Sequence, residues 1–209
     1  MNLVDRLICE LDTALRTVFA KPHAERRIPV PSLTPIGDGN ALAKSDSIRL
    51  MRINHCGEVC AQALYQGQAL VAQNPKVRKL LLDAAREEHD HLAWCDVRLT
   101  ALDGRSSYLS PLFYAGAFGM GVASGLLGDK WSMGFLVETE RQVEAHLHDH
   151  LDRISPADTE SRAILEAMRD DEIRHGQAGI EHGAAPLPAP VKAAMRGFSK
   201  VMTGATYWV

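Results

Sequence analysis

Two Glu-x-x-His pairs, Glu88/His91 and Glu172/His175, constrain this chain more than any other feature. Each interrupts an otherwise uncharged helical stripe. The first stripe reads Val77, Leu81, Ala84, Glu88, His91, Cys95, Leu99 and Leu102. Its steps of three and four residues describe one buried face of a helix. The second reads Leu165, Met168, Glu172, His175 and Gly179. Two further stripes carry one inward carboxylate each. Glu58 sits among Met51, His55, Gln62, Tyr65, Ala69 and Ala72, and Glu140 among Met133, Leu136, Val143, Leu147, Leu151 and Ile154. A buried carboxylate is costly unless it is paired or metal-bound. Four that face one another repel, and two divalent or trivalent cations remove the conflict. Carboxylate oxygen and imidazole nitrogen suit iron or manganese, and the i, i+3 spacing lets Glu and His reach one ion together.

A single acid–His pair at this spacing is weak, because 26 acids and nine His produce on the order of one by chance. The order of the groups says more. Glu58 precedes the first pair by 30 residues and Glu140 precedes the second by 32. The chain therefore reads as a two-fold internal repeat of helix–Glu followed by helix–Glu-x-x-His. Glu144 falls off the stripe of Glu140. Glu87, His89, Asp90, Asp170 and Asp171 read as surface groups or as partners of the ligands. Asp171 directly precedes Glu172, and His91 across the repeat is the expected donor of a hydrogen bond to it.

The rest of the sequence is helical in pattern and lacks alternating strand runs and hairpin turns. The expected helices cover about 2–20, 46–73, 75–103, 110–127, 130–154, 157–182 and 188–203. Ser45 or Asp46 is the expected cap of the second, and Asn74-Pro75 ends it and starts the third. Leu3, Leu7, Leu11, Leu15 and Val18 form the stripe of the first, and residues 21–43 form a Pro/Gly-containing connector. This divides the chain into an N-terminal helix and connector, 1–45, and a helical domain, 46–209. The fold class is all-α, with short connections as in a bundle.

From Ser106 to Gly128 no residue is charged. The length suffices for a bilayer span, but Pro111 and five glycines interrupt it. It reads either as a core helix with glycines for close packing or as a membrane-associating segment, 106–137, lying in the interface. A crossing conflicts with the repeat, since Glu58 and Glu88 precede the segment and Glu140 and Glu172 follow it. The net charge of −3 speaks against nucleic acid as a partner. The four cysteines form no C-x-x-C and suggest no disulfide scaffold.

The Glu/Glu-x-x-His set resembles that of the ferritin-like di-iron carboxylate bundles. More narrowly, NHCGEVCAQALYQGQ (54–68), EEHDHL (87–92), VETERQVEAHLHDHL (137–151) and RDDEIRHGQAG (169–179) resemble the demethoxyubiquinone hydroxylases, the di-iron monooxygenases of ubiquinone biosynthesis. The resemblance implies a four-helix bundle with extra apolar and terminal helices, holding two irons on Glu58, Glu88, His91, Glu140, Glu172 and His175. It implies that Glu88 and Glu172 bridge the irons, with Glu58 and His91 on one and Glu140 and His175 on the other. His146 matches a family histidine near the site. Animal relatives carry Tyr at the next position, where this chain has Leu147. The implied reaction is hydroxylation by O2 of a prenylated methoxy-methyl-benzoquinol, with electrons ultimately from NADH or a reduced quinone. No nucleotide-binding fingerprint is present, so no bound nicotinamide is expected. The implied partners are the quinol, a membrane surface and other ubiquinone-biosynthesis proteins. The implied location is the cytoplasmic side of the cell membrane, peripherally attached. An iron-storage or peroxide-handling bundle of the ferritin or rubrerythrin type shares the ligand set, but this chain lacks the rubrerythrin C-x-x-C module.

Overall fold

The computed structural model describes residues 3–32 and 41–209, without the side chains of residues 3, 4, 6 and 7. Seven helices and no strand occur among them: α1 (Leu3–Phe19), α2 (Ala41–Val71), α3 (Pro75–Ala101), α4 (Ser110–Leu126), α5 (Asp129–Arg153), α6 (Thr159–Glu181) and α7 (Ala189–Trp208). Two antiparallel pairs, α2–α3 and α5–α6, make the four-helix bundle, with α3 against α6 and α2 against α5. The link between the pairs is long and carries α4, the single long crossover typical of ferritin-like bundles.

Local chemistry explains the turns. Asn74 caps α3 by accepting from the Lys76 amide, with Pro75 in the first turn, where a missing N–H costs nothing. Asp158 caps α6 by accepting from the Ser161 amide. The same carboxylate lies 2.7 Å from Arg98 on α3, and both side chains are fully buried. Arg98 also donates to the Ser161 hydroxyl. This bolt ties α3 to the start of α6. Removing one partner would strand a buried charge, a loss of about 3–5 kcal/mol.

Three expectations change. Helix α2 begins at Ala41, so Ser45 and Asp46 lie inside it and cap nothing. Ala41, Leu42, Ala43 and Lys44 contain no breaker, and helix formers propagate until one appears. Part of the expected connector, residues 33–40, lies outside the described residues. Helix α7 runs to Trp208, held there by buried Thr206 and by the Arg49 guanidinium over the Tyr207 and Trp208 rings. Of the α1 stripe, only Val18 among the described side chains faces the core. Leu11 and Leu15 are exposed along with Ile8 and Phe19, whereas Ala14, Thr17 and Val18 pack inward. Leu3 and Leu7 lie outside the described side chains.

The uncharged segment has two faces. On one, Gly121 and Gly125 of α4 and Gly67 of α2 let the two backbones touch. A Cβ at Gly121 would collide with the Leu64 carbonyl oxygen, and one at Gly67 with that of Phe118. On the other, Leu112 and Leu126 are open to solvent, and Leu127 just beyond the helix joins them. Phe113 belongs to the packed side, edge-on to Phe198 of α7. No described helix is long and apolar enough to cross a membrane. Helix α7 packs on α2 and α5 and closes one side of the bundle.

Candidate metal centre

Helices α2, α3, α5 and α6 each turn one carboxylate inward, and the structure brings all four together. Glu58, Glu88, His91 and Glu172 form one group, and Glu88, Glu140, Glu172 and His175 form a second. Within each, one ligand atom per residue lies within 4.8 Å of every other. Glu88 and Glu172 belong to both groups. All six residues are buried.

The two histidines are set alike. His91 turns Nδ1 inward, 2.9 Å from Glu88, 3.5 Å from Glu172 and 3.7 Å from Glu58. His175 Nδ1 lies 3.2 Å from Glu88 and 3.6 Å from Glu140 and Glu172. The outward Nε2 of each meets a carboxylate of the opposite helix. For His91 it is Asp171, at 2.9 Å, and for His175 it is Glu87, at 3.2 Å. Each of these acids directly precedes a shared glutamate. The Asp171–His91 contact lies where the repeat places it. Glu87 repeats the arrangement, and the sequence marks it as a surface group or a partner of the ligands without pointing to His175. Its signal is in the sequence: the residue before each Glu-x-x-His is acidic.

Electrostatics make the interior a site that needs positive charge. Burial, with the neighbouring carboxylates, pushes the Glu58 and Glu140 carboxyls well above the ordinary range. Burial acts in the same direction on Glu88, but the adjacent His175 and His91 outweigh it and hold that carboxyl low. Burial would strip the proton from either histidine, yet the surrounding carboxylates hold it on both. Histidine protons thus stand in for cations. They do so incompletely: Glu88 Oε1, Glu140 Oε2, Glu172 Oε2 and His175 Nδ1 are buried without a hydrogen-bond partner. Orphaned acceptors and an orphaned imidazole nitrogen, aimed at one another, fit a pair of metal ions. With metal present, the outer carboxylates orient each imidazole through its second nitrogen.

The chain holds this cluster from outside. Asp171 is gripped by Arg174 and by Arg26, whose Nη1 lies 2.7 Å away. Arg26 also binds Asp90 at 2.9 Å and stacks on Trp94, which lies beside His91. Asp90 accepts from the Glu25 amide as well. No sequence signal connects the 21–32 stretch to the site, because its contacts lie more than 60 residues away. Tyr65 donates to Glu140 at 2.5 Å.

A cavity of about 110 Å³ adjoins one half of the cluster. Residues of α2, α4, α5 and α7 line it, chiefly apolar ones such as Leu64, Met120, Phe135 and Met195. Of the six cluster residues only Glu58 reaches it. His146 is not among the cluster groups. It lines the cavity and meets Ser199 of α7 through Nε2 at 2.8 Å. On the other side, a charged cleft lined by Lys76, Lys79, Asp83 and Arg174 reaches Glu87 and His175.

Residues 45–206 match the family described as Ubiquinone biosynthesis protein COQ7. A curated protein from Chromobacterium violaceum, named 3-demethoxyubiquinol 3-hydroxylase, is 54% identical over 207 residues, 99% of this chain and 100% of its own. Proteins of the same name from Nitrosomonas europaea and Cupriavidus taiwanensis are 53% and 55% identical. Those matches span 99% and 98% of this chain and 99% of each relative. With six acid and imidazole side chains converging as the repeat requires, and with this similarity across nearly its whole length, the chain belongs to the COQ7 family of ubiquinone biosynthesis proteins.

Proposed function

We propose that this protein hydroxylates the ring of a prenylated demethoxyubiquinol, using O2 and two irons held by Glu58, Glu88, His91, Glu140, Glu172 and His175. The observation that carries the reading is the placement of an unsatisfied carboxylate–imidazole cluster against an apolar cavity. Glu88 and Glu172 belong to both groups, which suits them to bridge. Glu58 and His91 complete one position, and Glu140 and His175 the other. The bound irons supply the redox chemistry that activates O2 for attack on an electron-rich ring. The residues supply the rest. Asp171 and Glu87 hold the imidazoles in register, and Tyr65 orients Glu140. The cavity excludes water and takes the ring up to Glu58. Electrons come ultimately from NADH in this reading.

The substrate's tail is a lipid, and exposed apolar residues support peripheral attachment to the cytoplasmic face of the cell membrane. Ile8, Leu11, Leu15 and Phe19 of α1 and Leu112 and Leu126 of α4 are the candidates, and α1 contacts α4. Such a face binds through buried apolar area.

One experiment tests both parts. Expressed in cells lacking their ring hydroxylase, the chain is expected to restore ubiquinone and clear demethoxyubiquinone from the lipid extract. Upon fractionation it is expected to sediment with membranes and come off in strong alkali. Leu112→Glu with Leu126→Glu is expected to shift it to the supernatant with iron retained. Persistent demethoxyubiquinone despite expression and iron loading would reject the activity. Unchanged sedimentation of the double variant would reject that face.

A further inference from the structure

An apolar cavity can hold a flat ring in several rotations, and only directional groups decide which ring carbon meets the metals. Most polar side chains around the cavity are already engaged. Thr139 donates to the Phe135 carbonyl, Gln142 to Glu138 and Thr203 to the Lys200 carbonyl, while His146 meets Ser199. Asn54 differs. It is 6% exposed, lines the cavity and leaves Nδ2 buried without a hydrogen-bond partner. A buried N–H donor without an acceptor is unfavourable, so something with an acceptor oxygen is expected to meet it.

The other end of that amide defines a second group. Asn54 Oδ1 lies 2.9 Å from Nδ1 of His150 on α5. A carbonyl oxygen only accepts, so Nδ1 carries the proton and Nε2 keeps its lone pair. His150 is buried and also lines the cavity. Burial, with His146 and Arg153 nearby, holds its pKa down to about 4, so the ring stays neutral. The pair thus offers one free N–H donor on an amide whose rotation His150 fixes. Asn54 precedes Glu58 by four residues, which puts it one turn away on the same helical face.

We propose that Asn54 and His150 form a hydroxyl-binding pair that sets the rotation of the quinol ring in the cavity. Asn54 Nδ2 donates to one phenolic oxygen, and His150 Nδ1, donating to Asn54 Oδ1, fixes the amide in that orientation. Both are positioning residues: no proton is lost and no bond breaks. The ring is held with its unsubstituted carbon toward Glu58. This inference rests on the quinol reading of the cavity.

The test uses the full chain loaded with two ferrous ions, kept anaerobic so that nothing turns over. The probes are a short-tailed methoxy-methyl-benzoquinol and its deoxy analogue, in which hydrogen replaces both hydroxyl groups. Equilibrium dialysis measures binding, alongside iron content and melting temperature. The parent protein is expected to bind the quinol about tenfold more tightly than the deoxy analogue. His150→Phe and Asn54→Leu are expected to abolish that preference with iron retained. Should Asn54→Leu lose iron, Asn54→Ser removes the amide with less disturbance. Variants that keep both iron and the tenfold preference would overturn the pair and leave the quinol reading standing. A parent protein that binds neither probe would overturn the quinol reading, and the pair with it.

Discussion

The two halves of the bundle carry the same carboxylate and histidine set and face different surroundings. On the α2–α3 side, Glu58 borders an apolar cavity, and its partner His91 is backed by Asp171 under the grip of Arg26 and Arg174. On the α5–α6 side, Glu140 is tied down by Tyr65, and His175 is backed by Glu87 at the edge of a charged cleft. The side chain of Asp171 is 12% exposed and that of Glu87 is 33% exposed. The repeat thus supplies a symmetric donor set, and unrelated segments make it directional. Helix α7 and the α4 crossover close an apolar space between α2 and α5 that reaches Glu58 and none of the other five cluster residues. Hydroxylation of a hydrophobic ring needs that inequality, because the ring must approach from one side and water must stay out.

The largest expected effect ignores the difference between halves. Glu172 serves both groups, so Glu172→Ala is expected to lose iron from both positions and hydroxylation with it. Glu144→Ala, on α5 and outside both groups, is expected to keep both. Two irons per chain and normal turnover in Glu172→Ala would break the shared-ligand arrangement. Next comes a contrast between the halves. Asp171→Asn takes the negative charge from the acceptor of the more enclosed imidazole and is expected to weaken metal binding about ten- to a hundredfold. Glu87→Gln is expected to cost only a few-fold, because solvent reaches that position and can replace the carboxylate. Competition against a chelator measures both, and equal losses would erase the asymmetry.

The smallest effect concerns the cavity side and acid. Burial holds His55 and His150 down to about 4. Between pH 6.5 and 4 the unfolded chain takes up these protons first. Stability owed to the neutral rings is therefore complete above pH 6.5 and is lost as pH falls towards 4. His150→Gln is expected to remove about one proton from that slope. Urea unfolding of the metal-free protein at several pH values measures it, and an unchanged slope would mean that His150 is already charged in the fold.

Much of the centre was legible because helices convert spacing directly into direction. Glu58, Glu88, His91, Glu140, Glu172 and His175 each sit on an otherwise buried stripe, and a 3.6-residue period leaves them only one way to face. Asp171 could be assigned to His91 from the repeat alone, and the same rule applied to Glu87 would have found its contact with His175. The start of α2 was misplaced because Ser45 and Asp46 look like caps, while a cap forms only where the preceding residues leave the helix. The stripe of α1 was legible as amphipathic but not in its orientation, because a short terminal helix can turn either face to the bundle.

Sequence alone determined the all-helical class, the internal repeat and the six side chains that meet inside it, since all three depend on periodicity within single helices. Tertiary structure decided what surrounds them: Arg26 reaching back to Asp171, the two faces of α4, the cavity against Glu58, and the Asn54–His150 pair within it. Arg26 and Asp171 are 145 positions apart, and Asn54 and His150 are 96 apart. Contacts of that range are chosen by packing the whole chain at once, and no local pattern encodes them.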